Sequence, residues 1–320
     1  MKGKYTIRIY NNKVSYELVL ERNITILTGD SGTGKTSVRR LVHDYEQYGK
    51  KSGVTIKCSV SCKTILSDED WEYKLSRISN SIIFIDEGHS FIKSQEFAEA
   101  ISGSDNYFVL ITRNSLPQIP YSVKSILSLR KTVRRYNRVY SKTYPLYDYF
   151  ENFLDKIKMF DMFVVEDSKA GYQLYASIAS NQNVKCISAE GKSNIRFRLL
   201  ENMDQKVLVI ADGAAFGPEM NNISKIMEEN KDIIWLFLPE CFEWLILKSS
   251  VITDKNVKQI LKKPSSYIDS KEYISWERFF TDLLVSITAN TPLQYNKNEL
   301  NIAYLKPANI KKIIKAIESI

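Results

Sequence analysis

Gly29-Asp30-Ser31-Gly32-Thr33-Gly34-Lys35-Thr36 decides how this chain is read. The eight residues fit G-x-x-x-x-G-K-[ST], a loop whose backbone N–H groups turn inward around a chain of phosphates. Glycine permits that curl because it carries no Cβ to clash at positive φ. In this pattern Lys35 reaches the β- and γ-phosphates, and Thr36 offers its hydroxyl to Mg²⁺. The flanks agree. Ile24-Thr25-Ile26-Leu27-Thr28 is an apolar, β-branched strand leading in, and Ser37-Val38-Arg39-Arg40-Leu41-Val42-His43 has helical character leading out. A helix that starts at such a loop presents its positive end to an anion.

About fifty residues later stands Ile82-Ile83-Phe84-Ile85-Asp86-Glu87. Four consecutive apolar residues suit a strand buried on both faces of a parallel sheet. Ligands bind such sheets at the carboxyl ends of the strands, so Asp86 is expected beside the glycine loop. There it would hold the metal shell, and Glu87 would orient or deprotonate an attacking water. Residues 107–111 form another apolar run, and three polar residues follow it: Thr112, Arg113 and Asn114. The motif pair resembles the Walker A and Walker B motifs of P-loop ATPases, in the additional-strand branch where Glu follows Asp. That resemblance implies ATP and Mg²⁺ as cofactors, with Gly29 to Thr36 as the nucleotide loop and Lys35 and Glu87 as the catalytic pair. It also implies a γ-phosphate sensor at the end of the 107–111 strand, with Thr112, Arg113 and Asn114 as open alternatives. No L-S-G-G-Q stretch and no guanine-specificity box occur, which disfavours transporter-type ATPases and GTP.

The chain has 320 residues and is 44% hydrophobic, enough for about two domains with full cores. Its start, Met1-Lys2-Gly3-Lys4, has no apolar h-region, and residues 233–247 are too short and too interrupted to span a bilayer. Four cysteines without a C-x-x-C pair argue against zinc and against a disulfide framework. The expectation is a cytoplasmic protein without membrane contact.

The net charge of +8 is unevenly placed. Residues 1–150 hold 23 Lys and Arg against 15 Asp and Glu, and the remainder holds 22 of each. Residues 121–142 hold seven basic side chains and no acid, with Arg130, Arg134, Arg135 and Arg138 at the centre and tyrosines interleaved. Basic groups neutralise phosphates and aromatic rings stack on exposed bases, which makes nucleic acid a candidate partner. An arginine supplied to a neighbouring copy, and a plain solvated ribbon, are the alternatives.

A second α/β pattern begins near residue 162. One strand ends in Glu166-Asp167, another in Asp212-Gly213, and a fourth is followed by Pro239-Glu240. No glycine loop recurs. Carboxylates such as Glu166 and Asp212 on neighbouring strands suit Mg²⁺, and Glu243 is a further candidate. This half resembles the TOPRIM domain of topoisomerases, primases and ATPase–nuclease proteins of the overcoming-lysogenization-defect type. That family has a Glu after its first strand and Asp-x-Asp after its third. Glu166 and Asp212 match, but Ala214 stands where the last acid belongs, so metal chemistry is open at that position.

The expected fold class is therefore α/β. A P-loop NTPase parallel sheet over 1–145 is followed by a linker helix over 146–160, a smaller TOPRIM-like domain over 161–250, and C-terminal helices over 251–320. The expected activity is ATP hydrolysis coupled to action on nucleic acid, with a nuclease or degenerate nuclease domain; the resemblance places this in mobile elements or phage defence. The competing reading is a protein-remodelling or phage-assembly-type ATPase with a partner protein docked on its second half. Homo-oligomerisation fits either reading.

Overall fold

A computed structural model describes residues 1–29, 32–135, 137–147 and 159–318. The chain is α/β and divides into two compact units. One comprises residues 1–148 with 263–274, the other residues 149–262 with 275–320.

The first unit is built on a mixed sheet of nine strands. They are β1 (Tyr5–Tyr10), β2 (Val14–Leu20), β3 (Ile24–Thr28), β4 (Thr55–Lys57), β5 (Ser61–Thr64), β6 (Ser81–Asp86), β7 (Tyr107–Ile111), β8 (Ile126–Arg135) and β9 (Arg138–Pro145). Their order across the sheet is β4-β1-β2-β9-β8-β3-β7-β6-β5. The run β8-β3-β7-β6-β5 is parallel throughout. Beyond it β9 returns antiparallel to β8, and β1 pairs antiparallel with both β2 and β4. The β1–β2 turn follows from its asparagine: Asn11 Oδ1 accepts from the N–H groups of Lys13 at 2.8 Å and Val14 at 3.0 Å.

Helix α1 (Lys35–Tyr48) buries Val38, Leu41 and Val42. It packs on β5 and β6 and also on β1 and β4, so the sheet curls around it. The core on this face joins Ile7, Ile9 and Leu18 to Ile82, Phe84 and Val109. The opposite face of the parallel strands is covered by α2 (Trp71–Ser76) and α3 (Gln95–Ile101). There Trp71 stacks on Phe91 at 5.0 Å, and Phe97 meets Phe108 edge-on at 6.2 Å. Cover on both faces explains the unbroken apolar runs of β6 and β7.

Three local expectations change. Residues 54–60 read as one strand, but the strand ends early: β4 pairs with β1, and β5, which begins at Ser61, pairs with β6. The turn at 58–60 connects the two outermost strands of the curled sheet. Residues 68–79 read as one helix, but only α2 forms there. The Asp68 carboxylate is engaged elsewhere, accepting from Ser90 N–H at 2.9 Å and meeting His89 Nδ1 at 2.7 Å. Residues 263–274, expected with the C-terminal helices, join the first unit through Gly3 N–H to Ser265 O at 2.6 Å and Asn23 Nδ2 to Ile274 O at 3.1 Å. The linker helix expected over 146–160 falls mostly outside the described residues, as do Asp30, Ser31 and Tyr136.

The second unit has a four-stranded parallel sheet in the order β11-β10-β12-β13. Its elements are β10 (Met162–Val165), α4 (Ala170–Ser180), β11 (Lys185–Ser188), α5 (Ile195–Leu200), β12 (Val207–Ile210), α6 (Met220–Glu229), β13 (Ile234–Phe237) and α7 (Phe242–Lys248). Helices α8 (Lys255–Lys262), α9 (Trp276–Thr288) and α10 (Pro307–Glu318) complete it. Both α9 and α10 pack on α7, and Leu245, Phe280, Leu284 and Ile313 are fully buried. These helices therefore belong to the same core and do not form a separate region. Among the described residues no helix is long and apolar enough to cross a membrane.

Leu41 anchors the middle of α1 in the curled sheet. Leu41→Ala should cost about 2–5 kcal/mol of unfolding free energy in urea titration, with the m-value unchanged.

Candidate functional site

The carboxyl ends of β3, β6 and β7 meet at one place. Leu27 and Asp86 both pair with Ile111, and Thr112 N–H donates to Leu27 O at 3.3 Å. The glycine loop leaves β3 here and enters α1 through Gly34, whose φ is +100°. A Cβ on Gly34 would lie 2.6 Å from the Tyr16 hydroxyl, so this position excludes any side chain on two grounds. Tyr16 comes from β2. It was not singled out by sequence, because its place against the loop depends on the sheet curling.

A cavity of about 360 Å³ opens at this point. It is lined by Gly32, Gly34, Lys35, Thr36 and Ser37 on one side and by Asp86, Glu87, Ile111, Thr112 and Arg113 on the other. The Lys35 ammonium folds back onto the loop, donating to Gly29 O at 2.6 Å and Thr33 Oγ1 at 3.2 Å. Asp86 is paired with Arg39 Nε at 3.3 Å. Arg39 lies four residues after Lys35, so both occupy one face of α1; that spacing was the available sequence signal for it. Glu87 is exposed at the cavity, and its Oε2 accepts from Arg113 N–H at 2.9 Å. Of the three candidates after β7, Thr112 and Arg113 line the cavity, whereas Asn114 turns its N–H to Thr112 Oγ1 at 3.0 Å. A carboxylate pair opposite a glycine-flanked lysine suits a ligand that brings both anionic oxygens and a divalent cation.

The second unit carries its own cavity, of about 270 Å³, at the carboxyl ends of β10 and β12. Glu166 and Asp212 meet there: Asp212 N–H donates to Glu166 Oε2 at 2.9 Å, and Asp212 Oδ1 accepts from Phe242 N–H at 3.1 Å. Asp167, beside Glu166, does a structural task. Its carboxylate accepts from the N–H groups of Lys169 at 3.0 Å and Gly171 at 2.7 Å, which holds the first turn of α4. Gly213 is demanded by close backbone approach, since a Cβ would meet Leu238 O at 2.7 Å. Ala214 is buried and donates its N–H to Glu240 O at 2.9 Å.

The C-terminal helices add groups that strand-end reading did not reach. Glu277 of α9 lines the cavity, as do Tyr295 and Lys297 of the segment after it, beside Glu243 of α7, the further acid already named from the sequence. Tyr295 donates to Glu243 Oε1 at 2.9 Å, and Lys297 pairs with Glu277 at 3.1 Å. Burial pushes the Glu166 carboxyl up to about 7, with the Glu277 charge adding to the rise. Burial also raises Asp212 well above the carboxylate range, and Glu277, Glu166 and Glu243 push it further. Burial works against the Lys297 ammonium, but the Glu277 carboxylate outweighs it and raises its pKa. The Tyr175 hydroxyl is fully buried at this cavity and has no hydrogen-bond partner among the described residues. Crowded carboxylates that resist ionising together, beside an orphan hydroxyl, fit a cation. Among the described residues no group of three such side chains is already arranged to hold a metal ion.

No family model and no curated protein matches the chain.

A Glu166 carboxyl that ionises more reluctantly in the fold than in the unfolded chain makes the native state bind the extra proton between about pH 4.5 and 7. Stability should therefore fall as pH rises through that window. Asp212 pulls in the same direction. Glu166→Gln should flatten the fall, read as melting temperature against pH; an equally steep profile in the variant would remove Glu166 as its source.

Proposed function

We propose that the chain is an ATP-hydrolysing P-loop protein acting on nucleic acid, whose second unit is a TOPRIM-like, metal-dependent nuclease domain. The observation that carries the ATPase reading is the single cavity shared by Lys35, Thr36, Asp86 and Glu87. The strand order supports the same reading. β7 lies between the loop-bearing β3 and the acid-bearing β6, which is an additional strand in the sense that gives that ATPase branch its name. Lys35 would leave Gly29 O for the β- and γ-phosphate oxygens, and Glu87 would hold the attacking water. Thr36 and Asp86 would hold Mg²⁺, which supplies charge neutralisation on the phosphates. Arg39 would release Asp86 as that cation binds.

In the second unit Glu166 and Asp212 would hold Mg²⁺, which supplies a polarised water and a phosphate clamp. Glu277 and Glu243, which line the same cavity, would replace the acid missing at 214. Lys297 offers a positive charge beside the phosphate being cut. The exposed arginines of β8 (Arg130, Arg134, Arg135) and the half-buried Arg138 at the start of β9 would hold the backbone of the nucleic acid.

Glu87→Gln should lower ATP turnover at least about 100-fold while leaving ATP binding intact, and Lys35→Ala should lose both. Asp212→Ala should abolish Mg²⁺- or Mn²⁺-dependent cleavage of single-stranded DNA. Full turnover in Glu87→Gln would refute the assigned water-holding role. Absence of cleavage by the wild type, with ATPase activity intact, would refute the nuclease assignment alone.

A further inference from the structure

We propose that the outer face of β4, β1, β2, β9 and β8 is a binding platform for single-stranded nucleic acid. This rests on the nucleic-acid reading above and names where, and in what form, the strand lies.

The pairing register lines up Lys57, Arg8, Glu17, Lys142 and Arg130 as one row across five strands. At the usual strand spacing this row is about 19 Å long. A second row on the same face runs Tyr10, Ser15, Tyr140. The inward residues of the same strands, Ile7, Ile9, Tyr16 and Leu18, enter the core, so the outer side chains face solvent by simple alternation. Between the rows lies a cavity of about 290 Å³.

Charge and ring placement select the occupant. The lone acid of the row, Glu17, is held by Arg8 at 2.8 Å and Lys142 at 2.8 Å, which fixes both cations and leaves the face strongly positive. Tyr10 has Arg138 over its ring at 5.6 Å and Lys57 at 6.0 Å, and Arg130 lies over Tyr144 at 5.5 Å. Cations beside the half-exposed rings of Tyr10 and Tyr140 and the exposed ring of Tyr144 match a ligand with regularly spaced anions and planar faces. A duplex hides its base faces, whereas a single strand offers them. The sequence strip at 121–142 therefore supplies only part of the surface, and Arg8, Tyr10 and Lys57 supply the rest.

The test is fluorescence anisotropy of the full chain with a labelled 20-nucleotide oligo-dT, its oligo-U counterpart and a 20-base-pair duplex, over a salt series. Arg8→Gln with Lys57→Gln should weaken oligo-dT about tenfold and shallow the salt slope by about 1.4. Tyr140→Leu should weaken it about tenfold without changing the slope, and Tyr140→Phe should restore it. Either single strand bound more tightly than duplex supports the proposal. Preference for duplex overturns it. Binding unaffected by the face variants but lost in Arg134→Gln with Arg135→Gln overturns the platform and keeps the nucleic-acid reading. No binding of any probe by the wild type overturns both.

Discussion

The burial of α1 inside a curled sheet is the constraint on which the first unit depends. A helix with one apolar stripe needs a surface to bury it. Here that surface comes from strands at both ends of the sheet order, β1 and β4 on one side and β5 and β6 on the other. The first turn of the same helix is the end of the glycine loop. Packing that fixes Val38, Leu41 and Val42 therefore also fixes where Lys35 and Thr36 start. The curl brings Tyr16 against Gly34 as well, so the antiparallel strands buttress the loop directly.

The same strands have two faces with different tasks. Along β2, Tyr16 and Leu18 enter the core while Ser15 and Glu17 look outward. The outer face collects Arg8, Lys57, Arg138 and Lys142. In the second unit the logic is electrostatic. Carboxyl groups are placed in a buried cavity where their mutual repulsion and lost hydration raise their pKa values. Such a group of acids is unfavourable by itself, and a bound cation would relieve it.

How much of this was legible in sequence followed from how local the chemistry is. A phosphate-type loop needs its glycines, lysine and threonine within eight residues, so Gly29 to Thr36 stood out at once. The strand ending in Asp86 was equally readable, because cover on both faces leaves an unbroken apolar run. The end of β4 at Lys57 was hidden, since the apolar and β-branched run continues to Val60 and only the curl turns the chain there toward β5. Arg8, Tyr10 and Lys57 lie on separate strands and become one surface through register alone. Glu277 and Lys297 were missed for a similar reason. They follow no strand: the packing of α9 on α7 carries Glu277 to Glu166 and Asp212, and the segment after α9, held to the start of α4 by Ala170 N–H to Lys297 O, carries Lys297. Arg39 was within reach, one helical turn after Lys35.

The claim on which the rest stands is that the cavity between the glycine loop and Asp86–Glu87 takes a nucleoside triphosphate with its metal. Titration calorimetry of the wild-type chain with ATP, with and without Mg²⁺, tests this most directly. One saturable site per chain, strengthened by Mg²⁺ and absent in Lys35→Ala, is the expected result. No heat of binding with ATP or any other nucleoside triphosphate, from a chain shown to be folded, would contradict it.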